Sequence, residues 1–121
     1  HALLNLPTQL DLESHPKVGA SWEGFIIGQL MQQLEVRLDE CYFWRTHTGA
    51  ELDLLVVRGR RRLGFEIKRT TAPAFTPSMR SALADLKLDS LTVIHAGDAS
   101  FPLARRVRAV GWRAIGAETM D

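Results

Sequence analysis

Apolar residues recur at three- and four-residue spacing along the first third of the chain, where Trp22, Phe25, Ile26, Ile27, Leu30, Met31, Leu34 and Leu38 gather on one side of a helical projection. Ser14 supplies a capping hydroxyl and Pro16 fits a first helical turn, so the pattern predicts a helix from Pro16 to Leu38. The period then changes. Cys41–Thr46 (CYFWRT), Glu51–Arg58 (ELDLLVVR) and Leu63–Thr70 (LGFEIKRT) are short runs rich in aromatic and β-branched residues, and they read as strands. Turns at Thr48-Gly49 and Gly59–Arg62 separate them. Pro73 and Pro77 end this run, after which Met79, Leu83, Leu86 and Leu88 space a helix over Ser78–Leu88. Leu91–Ala96 (LTVIHA) is a buried strand by the same criteria. Beyond Pro102, Leu103–Val110 has helical spacing and carries Arg105, Arg106 and Arg108, and Gly111–Ile115 reads as a final edge strand. Residues 1–14, where leucines are broken by Asn5, Pro7 and Asp11, show no sustained period and read as a connecting arm to a domain over residues 15–121.

The element order αβββαβ, with a strand-helix-strand unit near its end, implies an α/β fold with a mixed central sheet flanked by helices. A chain of 121 residues, 45% apolar and 24% charged, suits one globular domain with a real core. Fifteen basic against fourteen acidic residues give a net charge of +1, which excludes a broadly cationic nucleic-acid coat and leaves only local patches. The lone Cys41 can form neither an intramolecular disulfide nor a cysteine zinc framework, so a reducing, cytoplasmic setting is expected. No run approaches the roughly 20 apolar residues of a membrane span, so no membrane partner is expected. The chain opens on His1 and reads as part of something longer.

The anomalous residues are acidic. Glu23 falls at i, with Ile27, Leu30 and Leu34 at i+4, i+7 and i+11, so a carboxylate shares an apolar stripe and needs a cation, a hydrogen-bond network or a cleft rim. The plainer alternative is that it reaches water at the edge of the stripe. Strand side chains alternate, so Glu51 and Asp53 share one face of their strand, and Glu66 and Lys68 share one face of the next. If Gly59–Arg62 closes an antiparallel hairpin, Arg58 opposes Leu63, Asp53 opposes Lys68 and Leu55 opposes Glu66. Asp53 and Glu66 are then diagonal neighbours, close enough for one oxygen-liganded cation to bridge them. The plain alternative is a cross-strand Asp53–Lys68 ion pair contributing roughly 0.2 to 1 kcal/mol.

In this order the residues resemble the PD-(D/E)XK nuclease-like superfamily, whose core is an αβββαβ arrangement with an acid on the helix, an acid on the second strand and (D/E)-x-K on the third. Within it, the chain is similar to the domain of unknown function C-terminal to the ATPase module of many prokaryotic AAA-type ATPases. The resemblance runs from His15 to Ala96 and is carried by His15-Pro16-Lys17-Val18-Gly19, Trp22-Glu23, Tyr42-Phe43-Trp44-Arg45, Gly49-Ala50-Glu51-Leu52-Asp53 and Phe65-Glu66-Ile67-Lys68. The Pro-Asp pair of the superfamily's name is missing.

The resemblance implies a restriction-endonuclease-like fold and a Mg²⁺ (or Mn²⁺) site with Asp53 and Glu66 as ligands and Glu23 completing or buttressing it. Lys68 would orient or activate the attacking water and stabilise phosphate charge, making a nuclease acting on DNA or RNA. The competing expectation is a non-catalytic nuclease-like module that binds nucleic acid or docks on the ATPase. No G-x-x-x-x-G-K-[ST] loop occurs in the chain, so ATP binding would lie upstream of His1. Arg60, Arg61 and Arg62, with Arg58, form a basic hairpin tip that could grip phosphates beside the metal, or simply a solubilising turn. Arg45 and Arg69 could pair with Glu51 or Glu66. Trp22, Phe25 and Trp44 read as core anchors, and His15, His47 and His95 lack zinc-site spacing.

Overall fold

The computed structural model describes residues 11–13 and 21–116. One seven-stranded sheet runs in the order β1-β2-β3-β4-β5-β7-β6, built from β1 (Asp11–Glu13), β2 (Cys41–Arg45), β3 (Glu51–Arg58), β4 (Arg61–Lys68), β5 (Ser90–His95), β6 (Phe101–Ala104) and β7 (Val107–Gly111). The helices are α1 (Trp22–Gln33) and α2 (Pro77–Asp85). From α1 to β5 the elements follow the expected αβββαβ order. β2, β3 and β4 are antiparallel neighbours, and β5 joins β4 in parallel after α2 has crossed over. Asp11–Glu13, expected within a connecting arm, pairs antiparallel with β2 as an edge strand.

Each face of the sheet buries one helix. Ile26, Ile27, Leu30 and Leu34 pack on Leu54, Val56, Leu63, Phe65 and Ile67, and Met79, Ala82 and Leu86 pack on Trp44, Leu52, Leu55, Val57 and Leu91. Trp44 is the core anchor its sequence suggests. Phe25 is not, being 48% exposed, because successive helical residues point about 100° apart and Ile26 and Ile27 already take the inward directions. The α1 cap is Ser21, whose Oγ accepts the Gly24 N–H at 3.1 Å. The expected cap at Ser14 and first turn at Pro16 lie outside the described residues. The helix stops at Gln33 instead of Leu38, since Glu35 takes a left-handed φ of 52° and Leu38 joins an exposed 3₁₀ turn. In α2, Thr76 caps and Pro77 occupies the first turn, where its missing N–H costs nothing.

The largest departure from expectation lies after Pro102. Leu103–Val110 is not a helix but the β6–β7 hairpin, turning at Arg105 and Arg106, with Arg106 at a φ of 67°. Val107 and Ala109 are buried while Arg108 is exposed, the alternation of a strand beside β5. Gly111 ends β7 instead of opening an edge strand, and Trp112–Ala114 is a 3₁₀ turn. A Cβ on Gly111 would stand 2.6 Å from the Gly97 carbonyl oxygen and 2.9 Å from the Asp98 backbone, neither of which can swing aside. Gly111→Ala should therefore destabilise the domain by about 1 to 3 kcal/mol, read as a lower urea midpoint at unchanged slope.

Candidate active site

The β3–β4 hairpin sets the site. Gly59 takes a φ of 61°, so a two-residue loop of Gly59 and Arg60 closes it and Arg58 pairs with Arg61. The four-residue loop read from the sequence is thus too long. Leu55 pairs with Gly64, not Glu66, and Leu54 with Phe65. The correction shifts the register by two residues, an even number, and continuing the ladder brings Asp53 opposite Glu66 instead of Lys68.

On its other side β3 carries a bulge. Tyr42 pairs with Leu55 but Trp44 pairs with Leu52, so Asp53 and Leu54 together face the single residue Phe43. A bulge of this kind breaks the ladder and re-aims a side chain. Here the Asp53 carboxylate turns to the neighbouring strand, and its Oδ2 accepts the Ile67 N–H at 2.8 Å. That bond ties the acid of β3 to the chain between Glu66 and Lys68.

Glu66 is 3% exposed in a stretch of otherwise apolar β4 residues. Its Oε1 lies 3.9 Å from Lys68 Nζ, and its Oε2 is buried with no hydrogen-bond partner. Burial and the nearby Asp53 charge push its proton affinity up to about pH 8, with Lys68 opposing the rise. Asp53 is also raised, first by burial and less by Glu51, while the Ile67 N–H and Lys68 pull the other way. Two acids and a lysine therefore share one electrostatic neighbourhood at the ends of adjacent strands.

Glu23 is brought to the edge of this neighbourhood but is already engaged. Its carboxylate takes Arg69 Nε at 2.6 Å and Nη2 at 2.8 Å, a bidentate fork that lowers its pKa. Arg69 was expected on Glu51 or Glu66; it chooses the helix acid, 46 residues away in sequence, and lies over the Trp22 ring. Among the described residues, no group of three His, Cys, Asp or Glu side chains is arranged to hold a metal ion.

Arg60, Arg61 and Arg62 are not brought to the acids. They sit at the opposite end of the hairpin, with Arg61 roughly 17 Å along β4 from Glu66 at about 3.3 Å per residue. Arg62 instead ties the hairpin to the α2–β5 loop, its N–H bonded to Asp89 Oδ2. A further basic residue beside the site is Arg45, paired across the strands with Glu51 and stacked over Phe43. These two line a cleft of about 220 Å³ with Ile27, Glu51 and Asp53. Phe43 carried no signal of this in the sequence, where it is one aromatic among several in CYFWRT. A larger concavity of about 860 Å³, lined by Gln29, Gln32, Gln33, Trp112 and Arg113, contains no pair of acids. His95 is buried with both ring nitrogens occupied, Nδ1 accepting the Gly97 N–H and Nε2 bonded to the Ala99 carbonyl, a loop-holding role.

No helix among the described residues is long and apolar enough to cross a membrane. The family model of the domain of unknown function DUF4143 matches residues 18–115. An uncharacterized protein of Mycobacterium tuberculosis and one of Mycobacterium bovis are each 49% identical to the chain over 110 residues, which is 91% of this chain and 24% of theirs. The chain thus spans about a quarter of the length of these curated relatives. No solved structure matches it. With most of its length matched by that model, the chain belongs to the DUF4143 family.

Proposed function

We propose that this domain is a Mg²⁺-dependent nuclease of restriction-endonuclease-like fold, the C-terminal part of a prokaryotic AAA-type ATPase, acting on DNA or RNA. The reading rests on one observation: the buried, unpartnered Oε2 of Glu66, beside Asp53 and Lys68. A native core rarely keeps an orphaned carboxylate oxygen without a use for it. The donor chemistry fits a small hard cation, because Mg²⁺ keeps several waters and takes only one or two protein carboxylates. Asp53 and Glu66 would hold it, and bound there it would polarise a phosphoryl oxygen and acidify a water. Lys68, 41% exposed, reaches solvent from the same strand and would place positive charge against the scissile phosphate and orient the attacking water. Arg45 lies beside the acids to meet a phosphate, the role first considered for Arg60, Arg61 and Arg62.

One observation favours a second reading, a non-catalytic module that binds nucleic acid or docks on the ATPase: Glu23, the third acid, is held by Arg69. Titrating Mn²⁺ into the domain, followed by electron paramagnetic resonance, separates the two. One bound ion per chain, lost in Glu66→Gln, is the expected result. Cleavage assays of the full-length protein on single-stranded, duplex and branched DNA and on RNA should then show metal-dependent products. Absence of both binding and cleavage would leave the docking module.

A further inference from the structure

The acid that a nuclease reading places at the metal is clasped by a cation of its own. Arg69 offers the planar fork that matches a carboxylate, and the same fork matches a phosphate oxyanion equally well. Both partners are accessible, with side chains 66% and 37% exposed, so the pair is a surface contact of small net stability and exchanges readily. The guanidinium is also held from behind: it lies 5.9 Å from the Trp22 ring centre, and Trp22 stands edge-on to Trp112 at 6.4 Å. Chain connectivity adds the last element, since Arg69 directly follows Lys68 and Glu23 is close enough to Asp53 for its charge to be felt there.

We propose that Arg69 is an exchangeable latch, which holds Glu23 off the Asp53–Glu66 site until a backbone phosphate of nucleic acid takes the guanidinium fork and releases Glu23 toward the cation. This rests on the nuclease-like metal reading given above. Substrate and cation then bind cooperatively. The protein avoids assembling a complete acidic site without substrate, because Glu23 keeps a cation of its own in the resting state. Arg69 acts here as a positioning residue, through Glu23.

The test is a cycle of Mn²⁺ affinities for the domain as wild type, Glu23→Gln, Arg69→Gln and the double variant. Glu23→Gln alone should change the dissociation constant little, since the latched carboxylate is not a ligand. Arg69→Gln should tighten binding by about tenfold, the scale at which one orienting partner of a metal site acts. The double variant should return to the wild-type value. Were the tightening only the removal of a positive charge, Glu23→Gln would weaken binding by a like amount and Arg69→Lys would leave it unchanged, and the latch would be overturned. Arg69→Lys keeps the charge without the fork and should also tighten binding. A single-stranded phosphorothioate DNA oligonucleotide should tighten Mn²⁺ binding in the wild type and not in Arg69→Gln; equal responses would overturn the exchange. If the wild type binds Mn²⁺ and Arg69→Gln does not differ from it, only the latch falls. If neither binds, the metal reading falls and takes the latch with it.

Discussion

Raising the pH from about 4.5 to about 8 should destabilise the metal-free domain, against the usual behaviour of proteins with paired carboxylates. The ordinary value for Glu66 is 4.5, and in the folded chain it rises to about 8 because burial penalises the anion and Asp53 adds repulsion. Between those values the native state holds a proton that the unfolded chain has released. Stability therefore falls with pH across that window and levels off above it. A shift of this size corresponds to a loss on the order of 3 to 5 kcal/mol, at about 1.4 kcal/mol per pH unit. Asp53, also raised, adds to the fall with the same sign. Glu23, lowered by Arg69, works in the opposite direction at acid pH, but as an exposed group it contributes little.

Urea unfolding in chelator at a series of pH values measures this slope. Glu66→Gln, which keeps the shape and removes the ionisation, should flatten most of it and be the more stable protein at pH 8. On the proposed metal site, Mn²⁺ should restore wild-type stability at high pH and leave Glu66→Gln unaffected, because there a cation would compete with the proton for the same oxygens. A wild-type protein whose stability is constant from pH 4.5 to 8 would show that Glu66 is not held as described.

The second large effect separates catalysis from a vestigial site. On the proposed metal site, Asp53→Ala removes an oxygen ligand and should weaken Mn²⁺ binding by about 10- to 100-fold. Lys68→Ala should leave that affinity intact or tighter, since it deletes a neighbouring positive charge, while lowering cleavage by on the order of 10² to 10³. Folding should survive both, because Lys68 reaches solvent and Asp53 contributes one hydrogen bond to the Ile67 N–H. The assay belongs in the full-length protein, with wild type and both variants on the same DNA and RNA substrates. If wild type binds the metal and cuts none of them, and Asp53→Ala alters only stability, the domain is a docking or binding module.

The candidate site was partly legible because strand parity is a local property. Period-two alternation puts Glu66 and Lys68 on one face of β4 whatever the loop does, and an error of two residues in the hairpin register leaves that parity intact. The bulge opposite Phe43 has no such signature, yet it decides where Asp53 points. Nor could spacing reveal that Arg69 would choose Glu23. Charge complementarity allows several partners, and only the packing of α1 on β4 brings these two together.

What the sequence determined by itself is the set of elements whose local preferences and burial needs agree: α1, α2 and the strands β2 to β5, with turns where glycine and proline demand them. Where the two pull apart, the tertiary structure decided. The residues from Leu103 to Val110 carry a helical spacing, but an open edge of β5 satisfies more backbone hydrogen bonds than an isolated turn of helix would, so β7 pairs with β5 and β6 folds back to pair with β7. Glu66 is the same contest in one side chain. Its identity is written in the chain, while its burial, its unpartnered oxygen and its raised proton affinity exist only because β3, β4 and β5 close around it.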